Sequence, residues 1–270
     1  MEKSPKISIV TPSFNQGEFI EEAIKSIVDQ NYSNFEHIII DNCSTDKTLE
    51  IIAKYPHLVV VSEPDEGQSD ALNKGFNLAT GDIVGWLNAD DYYLENTFEK
   101  VATLFNNDEK LDAIYSNVHF IDKEGNFTND LITHRAVKWL SLFHCYIPST
   151  TFFFNREILD NGLRIKKELH ISMDKDFFAN ILYSDYKVSF INDFFASFRW
   201  HESNKSLESP EIRSIRYKEG LDIYNTYSKF RLGTSAMSVA LYASLNRMFL
   251  VVRKLLKFQN HKYSIKELAN

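Results

Sequence analysis

Cysteine is scarce in this 270-residue chain: Cys43 and Cys145 stand far apart and belong to no CxxC pair. Two such residues cannot supply a disulfide framework, so a reducing setting, the cytoplasm, is expected. The first residues, MEKSPKISIVTPSFN, lack the positive flank, continuous apolar stretch and small-residue cleavage site of a secretory signal. Long apolar runs are also missing. Between Arg231 and Arg247 lie 15 uncharged residues, short of the roughly 20 that cross a bilayer. No internal repeat and no low-complexity segment interrupts the chain. Positive charge is short over most of its length, with 19 Lys/Arg against 33 Asp/Glu in residues 1–208. Such a body repels phosphodiester backbones, which argues against nucleic acid as a partner.

The balance reverses at the C-terminus, where residues 209–270 hold 11 Lys/Arg against 4 Asp/Glu. An acidic domain over 1–208 and a basic extension over 209–270 are expected, with the Ser/Pro-bearing stretch 202–211 as linker. Within the body, KISIVT, FEHIIID, LVVVS and DIVGWL are short apolar runs. They alternate with segments of helical spacing: Glu18–Gln30, a piece containing Leu49, Ile51 and Ile52, and Gln68–Ala79. A βαβαβαβ order with nearly continuous apolar strands predicts an α/β fold, a mostly parallel sheet covered by helices on both faces. Beyond residue 110 the pattern loosens, and DAIYSNVHFID with GNFTN, TTFFFN, KVSFIND and FFASFRW predict mixed or antiparallel strands.

In parallel sheets ligands gather beyond the carboxyl ends of the strands. There the chain places Thr11–Asn15, Asp41–Asp46, Glu63–Asp70 and Asn88–Asp91. In the last, WLNADDYY ends an apolar run in two adjacent carboxylates, which repel unless a cation or donors compensate. Hard oxygen ligands suit Mn²⁺ or Mg²⁺, held by few carboxylates together with substrate phosphates. A diphosphate-bearing substrate follows. The loop TPSFNQGE has one glycine and neither Lys nor Arg. It therefore lacks both the GxGxxG of a dehydrogenase and the glycine-rich basic loop of a sugar-nucleotide pyrophosphorylase.

Taken in order, TPSFNQGEFIEEAIKSIVDQNY, IIIDNCSTDKT, EPDEGQSDALNKG, ATGDIVGWLNADD and MDKDF resemble the family 2 nucleotide-sugar glycosyltransferases of GT-A (Rossmann-like) fold. The likeness runs from residue 6 to about 205 and is nearest to bacterial enzymes of surface polysaccharide synthesis. It implies a nucleotide-sugar donor, a UDP-sugar foremost, a glycan or lipid-linked acceptor, and inversion at the anomeric carbon. By the same resemblance Thr11, Pro12, Phe14 and Asn15 line the nucleotide pocket. Asp41, an acceptor only, takes a hydrogen bond from the base, unless it serves as an N-cap; Asp46 reads as a cap. Asp70 and Asn73 face the sugar, with Lys74 near phosphate. Asp91 is the metal ligand, Asp90 touches ribose or assists through water, and Asn88 stands where many members have Asp. Asp174 matches the acid of the family's ED-type motif and is the base that deprotonates the acceptor hydroxyl, with Asp176 competing. His201 completes the metal shell from a loop whose Ser203, Asn204, Lys205 and Ser206 can hold phosphate. A site of this kind that binds without catalysing is the alternative.

In the extension, helical spacing puts Met237, Leu241, Leu245, Met248, Val252 and Leu255 on one face and Asn246, Arg253, Lys254 and Lys257 on the other. Residues 234–258 are expected either to lie on an anionic membrane surface, with the enzyme peripheral on the inner face of the plasma membrane, or to pack on the domain or on a second subunit in a homodimer.

Overall fold

The computed structural model describes residues 4–267 apart from residues 203, 206 and 208, with side chains described as far as residue 256. Along the chain run β1 (Ile7–Ser13), α1 (Ile20–Val28), β2 (Phe35–Asp41), α2 (Thr48–Ile52), β3 (Val59–Ser62), α3 (Gln68–Leu78) and β4 (Ile83–Trp86). The order is the βαβαβαβ that the sequence predicts. There follow β5 (Tyr92–Tyr93), α4 (Thr97–Asn107), β6 (Ala113–Ile121), β7 (Phe127–Leu131), α5 (Lys138–Ser141), β8 (Phe153–Asn155), α6 (Glu157–Asp160), α7 (Met173–Tyr183) and β9 (Val188–Arg199). Two long helices close the chain, α8 (Pro210–Tyr227) and α9 (Ala236–Glu267).

One sheet runs β3-β2-β1-β4-β8-β6-β9-β5, with β7 beside β6. Its first four strands are parallel. Beyond them β8 is antiparallel to β4 and β6, while β9 runs parallel to β6 and antiparallel to β5. Alternation along each strand sends side chains to both faces. Ile7 and Ile9 of β1 join a cluster with Ala23, Ile27 and Phe98, whereas Val10 joins one with Leu72, Phe76 and Phe177. Both faces are therefore dry, which is why these strands read as unbroken apolar runs. On α1 the positions Ile20, Ala23, Ile24 and Ile27 recur at helical spacing and are all buried.

α3 lies flush against β1. A Cβ at Gly75 would stand 2.2 Å from Val10 Cγ1, so only glycine permits this approach.

The extension is built into the same core. Ser209 caps α8 by accepting from Ile212 N at 3.2 Å, with Pro210 in the first turn. Leu221, Ile223 and Tyr242 then enter the cluster that holds Phe76 and Phe177. Burying an aromatic ring in this way stabilises by about 2 kcal/mol. Gly220 makes room for it, since a Cβ there would meet the Tyr242 hydroxyl at 2.7 Å. The expected polar face of α9 is corrected: Asn246 donates to the Phe143 carbonyl, and Arg253 is half-buried. Val239, Leu245, Phe249 and Leu256 pack beside them. Met237, Leu241, Met248, Val251 and Leu255 are left exposed, three of them by more than 60%.

Candidate active site

A cavity of about 750 Å³ opens at the carboxyl ends of the parallel strands, a size suited to a small-molecule ligand. The four polar loops converge on it as the strand order requires. Pro12 at the end of β1 lines it with Phe14 and Asn15, Asn42 does so after β2, Asp65 and Gln68 after β3, and Asn88 and Asp90 after β4. His170, Asp174, Phe198, His201, Asn204 and Lys205 close it from the second half of the chain.

The first two loops are stapled together. Asn15, at φ 52°, donates its backbone N–H to Ser44 Oγ at 2.8 Å and accepts from Thr45 N at 2.9 Å. Asp46 accepts from Gly17 N with one oxygen and from Thr48 N and Oγ1 with the other. It thus holds the first N–H of α2 from the position before the N-cap Lys47, while lining the cavity. Phe14 stands 55% exposed at the rim, a bare ring against which a flat base can lie.

Two expected pocket residues lie elsewhere. Thr11 is fully buried, with Oγ1 2.8 Å from His37 Nε2, because alternation along β1 turns it away from its neighbours at the rim. Asp41 is fully buried too, and its carboxylate accepts from Ser44 N (2.8 Å), Ser44 Oγ (2.5 Å) and Ser62 Oγ (3.0 Å). Its oxygens are engaged by Ser44 of its own loop and Ser62 of β3, and Asn42 and Asp65 reach the cavity in its place.

Asp70, Asn73 and Lys74 also turn from the cavity. Asp70 pairs with Lys167 at 2.5 Å and Lys74 at 3.7 Å. Asn73 exchanges two hydrogen bonds with the backbone of Ile165, and Lys74 pairs with Glu63 at 2.8 Å. These side chains tie α3 to the segment before α7 and to the exit of β3. Helical phase presents Gln68 and Ala71 to the cavity instead.

The two carboxylates of the acidic pair are placed differently. Asp90 lines the cavity, with Oδ2 3.0 Å from His201 Nε2. Asp91 is 1% exposed and does not line it. Its oxygens accept from Asn88 Nδ2, Thr150 Oγ1 and the Arg199 backbone N–H, each at 2.9 Å. Burial, and then the neighbouring Asp90 charge, push the Asp91 carboxyl well above the usual carboxylate range. Asp91, expected as the metal ligand, is thus placed off the cavity lining, where it braces the turn that carries Asp90. Asn88 links the turn to α3 by accepting from Gln68 Nε2 at 2.9 Å. Arg199, itself 2% exposed, donates from Nε to the Asp90 carbonyl at 3.0 Å and from Nη1 to the Lys123 carbonyl at 2.8 Å, and pairs with Glu22. Its part was not visible in sequence, since an Arg beside a Trp and a His carries no spacing signal.

Among the described residues no three His, Cys, Asp or Glu side chains gather as a ligand set. Asp90 and His201, 3.0 Å apart, together offer a carboxylate oxygen and an imidazole nitrogen to the cavity. Two protein donors fit a cation that takes the rest of its shell from water and a diphosphate, as Mn²⁺ and Mg²⁺ do.

Asp174, in the first turn of α7, lines the cavity. It accepts from Lys175 N at 2.6 Å and from the Cys145 thiol at 3.3 Å, and burial raises its carboxyl above the ordinary value. Asp176 is separated from it by geometry: 1% exposed, it pairs with Lys166 at 2.8 Å and accepts from the Tyr227 hydroxyl at 3.4 Å. Trp86 is core and cavity wall together. Ser203 and Ser206 lie outside the described residues, as does the Lys257 side chain.

The model of glycosyl transferase family 2 matches residues 8–163, more than half the chain. An uncharacterized glycosyltransferase of Methanocaldococcus jannaschii is 29% identical over 206 residues, covering 72% of this chain and 71% of that protein. A putative teichuronic acid biosynthesis glycosyltransferase of Bacillus subtilis, TuaG, is 37% identical over 101 residues, 36% of this chain and 40% of its own length. Among solved structures, S. aureus TarS 1–349 in complex with UDP aligns with TM-score 0.65 at 21% identity, covering 90% of this chain and 72% of that one. A mannosyltransferase of Pyrobaculum calidifontis, in complex with GDP-Man and Mn²⁺, aligns with TM-score 0.62 at 17% identity, covering 92% and 70%. With the GT-A-like sheet and the cavity at its carboxyl edge, the matched model makes the chain a member of glycosyl transferase family 2.

Proposed function

We propose that the protein transfers a sugar, with inversion, from a nucleoside diphosphate sugar, a UDP-sugar foremost, to a hydroxyl of a glycan or lipid-linked acceptor in surface polysaccharide synthesis. The observation that carries this reading is that Asp90, His201 and Asp174 line one cavity with Phe14 and Asn15. One space thus offers a base platform, donors for a cation and a partly desolvated carboxylate. The UDP and GDP-Man complexes of the structural neighbours support the donor class, and the teichuronic acid relative supports the pathway class.

Asp90 and His201 would hold Mn²⁺ or Mg²⁺. When bound, the cation offsets the charge that grows on the departing diphosphate. Asp174 takes the acceptor hydroxyl's proton as that oxygen attacks the anomeric carbon, and the loop at Asn204–Lys205 sets an ammonium beside the leaving group. Mn²⁺-dependent binding of UDP, with slow hydrolysis of one of a panel of UDP- and GDP-sugars, is expected. No nucleotide binding in the presence of Mn²⁺ overturns the reading.

Among the described residues no helix is long and apolar enough to cross a membrane. The exposed stripe of α9 and the basic balance of residues 209–270 favour peripheral docking on the anionic inner face of the plasma membrane, where a lipid-linked acceptor lies. Flotation with anionic vesicles is expected to fail for Met248→Glu/Val251→Glu. A homodimer dissolved by that pair, with no vesicle binding by the wild type, assigns the stripe to a second copy instead.

A further inference from the structure

Three consecutive backbone N–H groups, those of His170, Ile171 and Ser172, converge on the carboxylate of Glu219 at 2.7, 3.1 and 2.7 Å. Glu219 sits on α8, 7% exposed, and comes 47 to 49 residues later in the chain. The three donors immediately precede α7, where helical geometry supplies no backbone acceptor. A carboxylate placed there also meets the positive end of the α7 dipole. His170 and Ile171 line the cavity, and Asp174 follows two residues after Ser172.

Residues 161–172 form no helix or strand, so side chains determine where this segment lies. Asn73 and Asp70 hold its first part through Ile165 and Lys167, and Glu219 holds its last part. A second tie from the extension reaches the same turn of α7. Lys175 Nζ donates to the Tyr242 hydroxyl at 2.7 Å, which donates in turn to the Leu142 carbonyl at 2.7 Å.

Asp174 and Asp176 are about 200° apart around the helix. Which of them meets the cavity depends on where α7 begins, and a shift of one residue there rotates Asp174 by about 100°. We propose that Glu219 is a positioning residue for glycosyl transfer: by gathering the N–H groups of residues 170–172 it fixes the start of α7 and aims Asp174 at the acceptor. It acts through the backbone N–H groups of residues 170–172, its charge also facing Lys205, and the proposal rests on Asp174 being the base.

The test uses the full chain with Mn²⁺ and whichever of UDP-N-acetylglucosamine, UDP-glucose, UDP-galactose or GDP-mannose the wild type turns over fastest. Glu219→Gln keeps the shape but turns an amide donor toward a backbone donor. Amide hydrogen exchange at 170–172 is expected to quicken, and kcat to fall by about tenfold to a hundredfold with donor KM changed less than about twofold. Glu219→Asp keeps the charge and shortens the reach by one methylene, so it should recover part of the rate and serves alone if the amide variant does not fold. Wild-type kcat, unchanged exchange at 170–172, or a kcat loss matched by loss of donor affinity overturns the proposal. Asp174→Asn is measured beside it. Full turnover there refutes the base itself, whereas a dead Asp174→Asn with a fully active Glu219→Gln refutes only Glu219.

Discussion

The two acidic pairs of the site, Asp90–Asp91 and Asp174–Asp176, divide in the same way but are compensated differently. In each, one carboxylate lines the cavity and the other is buried in the scaffold. Asp91 is held by neutral donors, an amide, a hydroxyl and a backbone N–H, and burial dominates its carboxyl. Asp176 is held by the Lys166 ammonium and a phenol. Each pair thus has one half open to the cavity and one half built into the scaffold. The half that faces solvent is chosen by the turn or helix start beneath it, not by the cluster itself.

The largest effects expected are on the cavity-facing members. Asp174→Asn should cut transfer by about 10²–10⁴-fold while Mn²⁺-dependent UDP binding persists. Asp90→Ala should weaken that binding by at least about a hundredfold. Calorimetric titration of UDP with and without Mn²⁺ separates the two, and equal UDP affinity in Asp90→Ala would break the comparison. Next comes Asp91→Ala, which orphans three buried donors and should cost about 3 kcal/mol of unfolding free energy, read by urea denaturation. A variant of wild-type stability that has lost Mn²⁺-dependent binding would return Asp91 to the metal. Asp176→Asn should cost only about 1 kcal/mol, because Lys166 keeps much of its solvent, with turnover near wild type. The smallest effect is a displacement along the pH axis. Burial raises the Asp174 carboxyl and only its ionised form accepts a proton, so kcat/KM should rise with pH through a limb above the ordinary value of about 4. A limb at that ordinary value would mean that Asp174 is solvated.

Much of the fold could be read from residue order. Apolar runs such as FEHIIID, which matches β2 to the residue, leave little freedom when both faces of a sheet are covered. The site was legible as a set of loops and less so as side chains. Adjacent residues such as Asp90 and Asp91 point opposite ways, and the phase of their turn depends on Arg199, 108 positions from Asp91. Asp176 is likewise turned from the cavity by partners distant in sequence, among them Tyr227 of α8. For α9 the period was plain but the phase was not, because apolar residues occur on both of its faces and only packing chooses between them. Thr11 and Asp41 were named by resemblance, while their partners His37, Ser44 and Ser62 bind them inside the sheet and its loop.

The missing side chain at Gly75 has a consequence for anyone who would retune this enzyme. Because α3 rests on Val10 with no spacer, an absent methyl group sets how close the helix carrying Gln68 and Ala71 comes to the sheet. Even an alanine there must prise α3 off the sheet and carry Gln68 and Ala71 away with it, so specificity can be redrawn at the rim far more readily than at the floor.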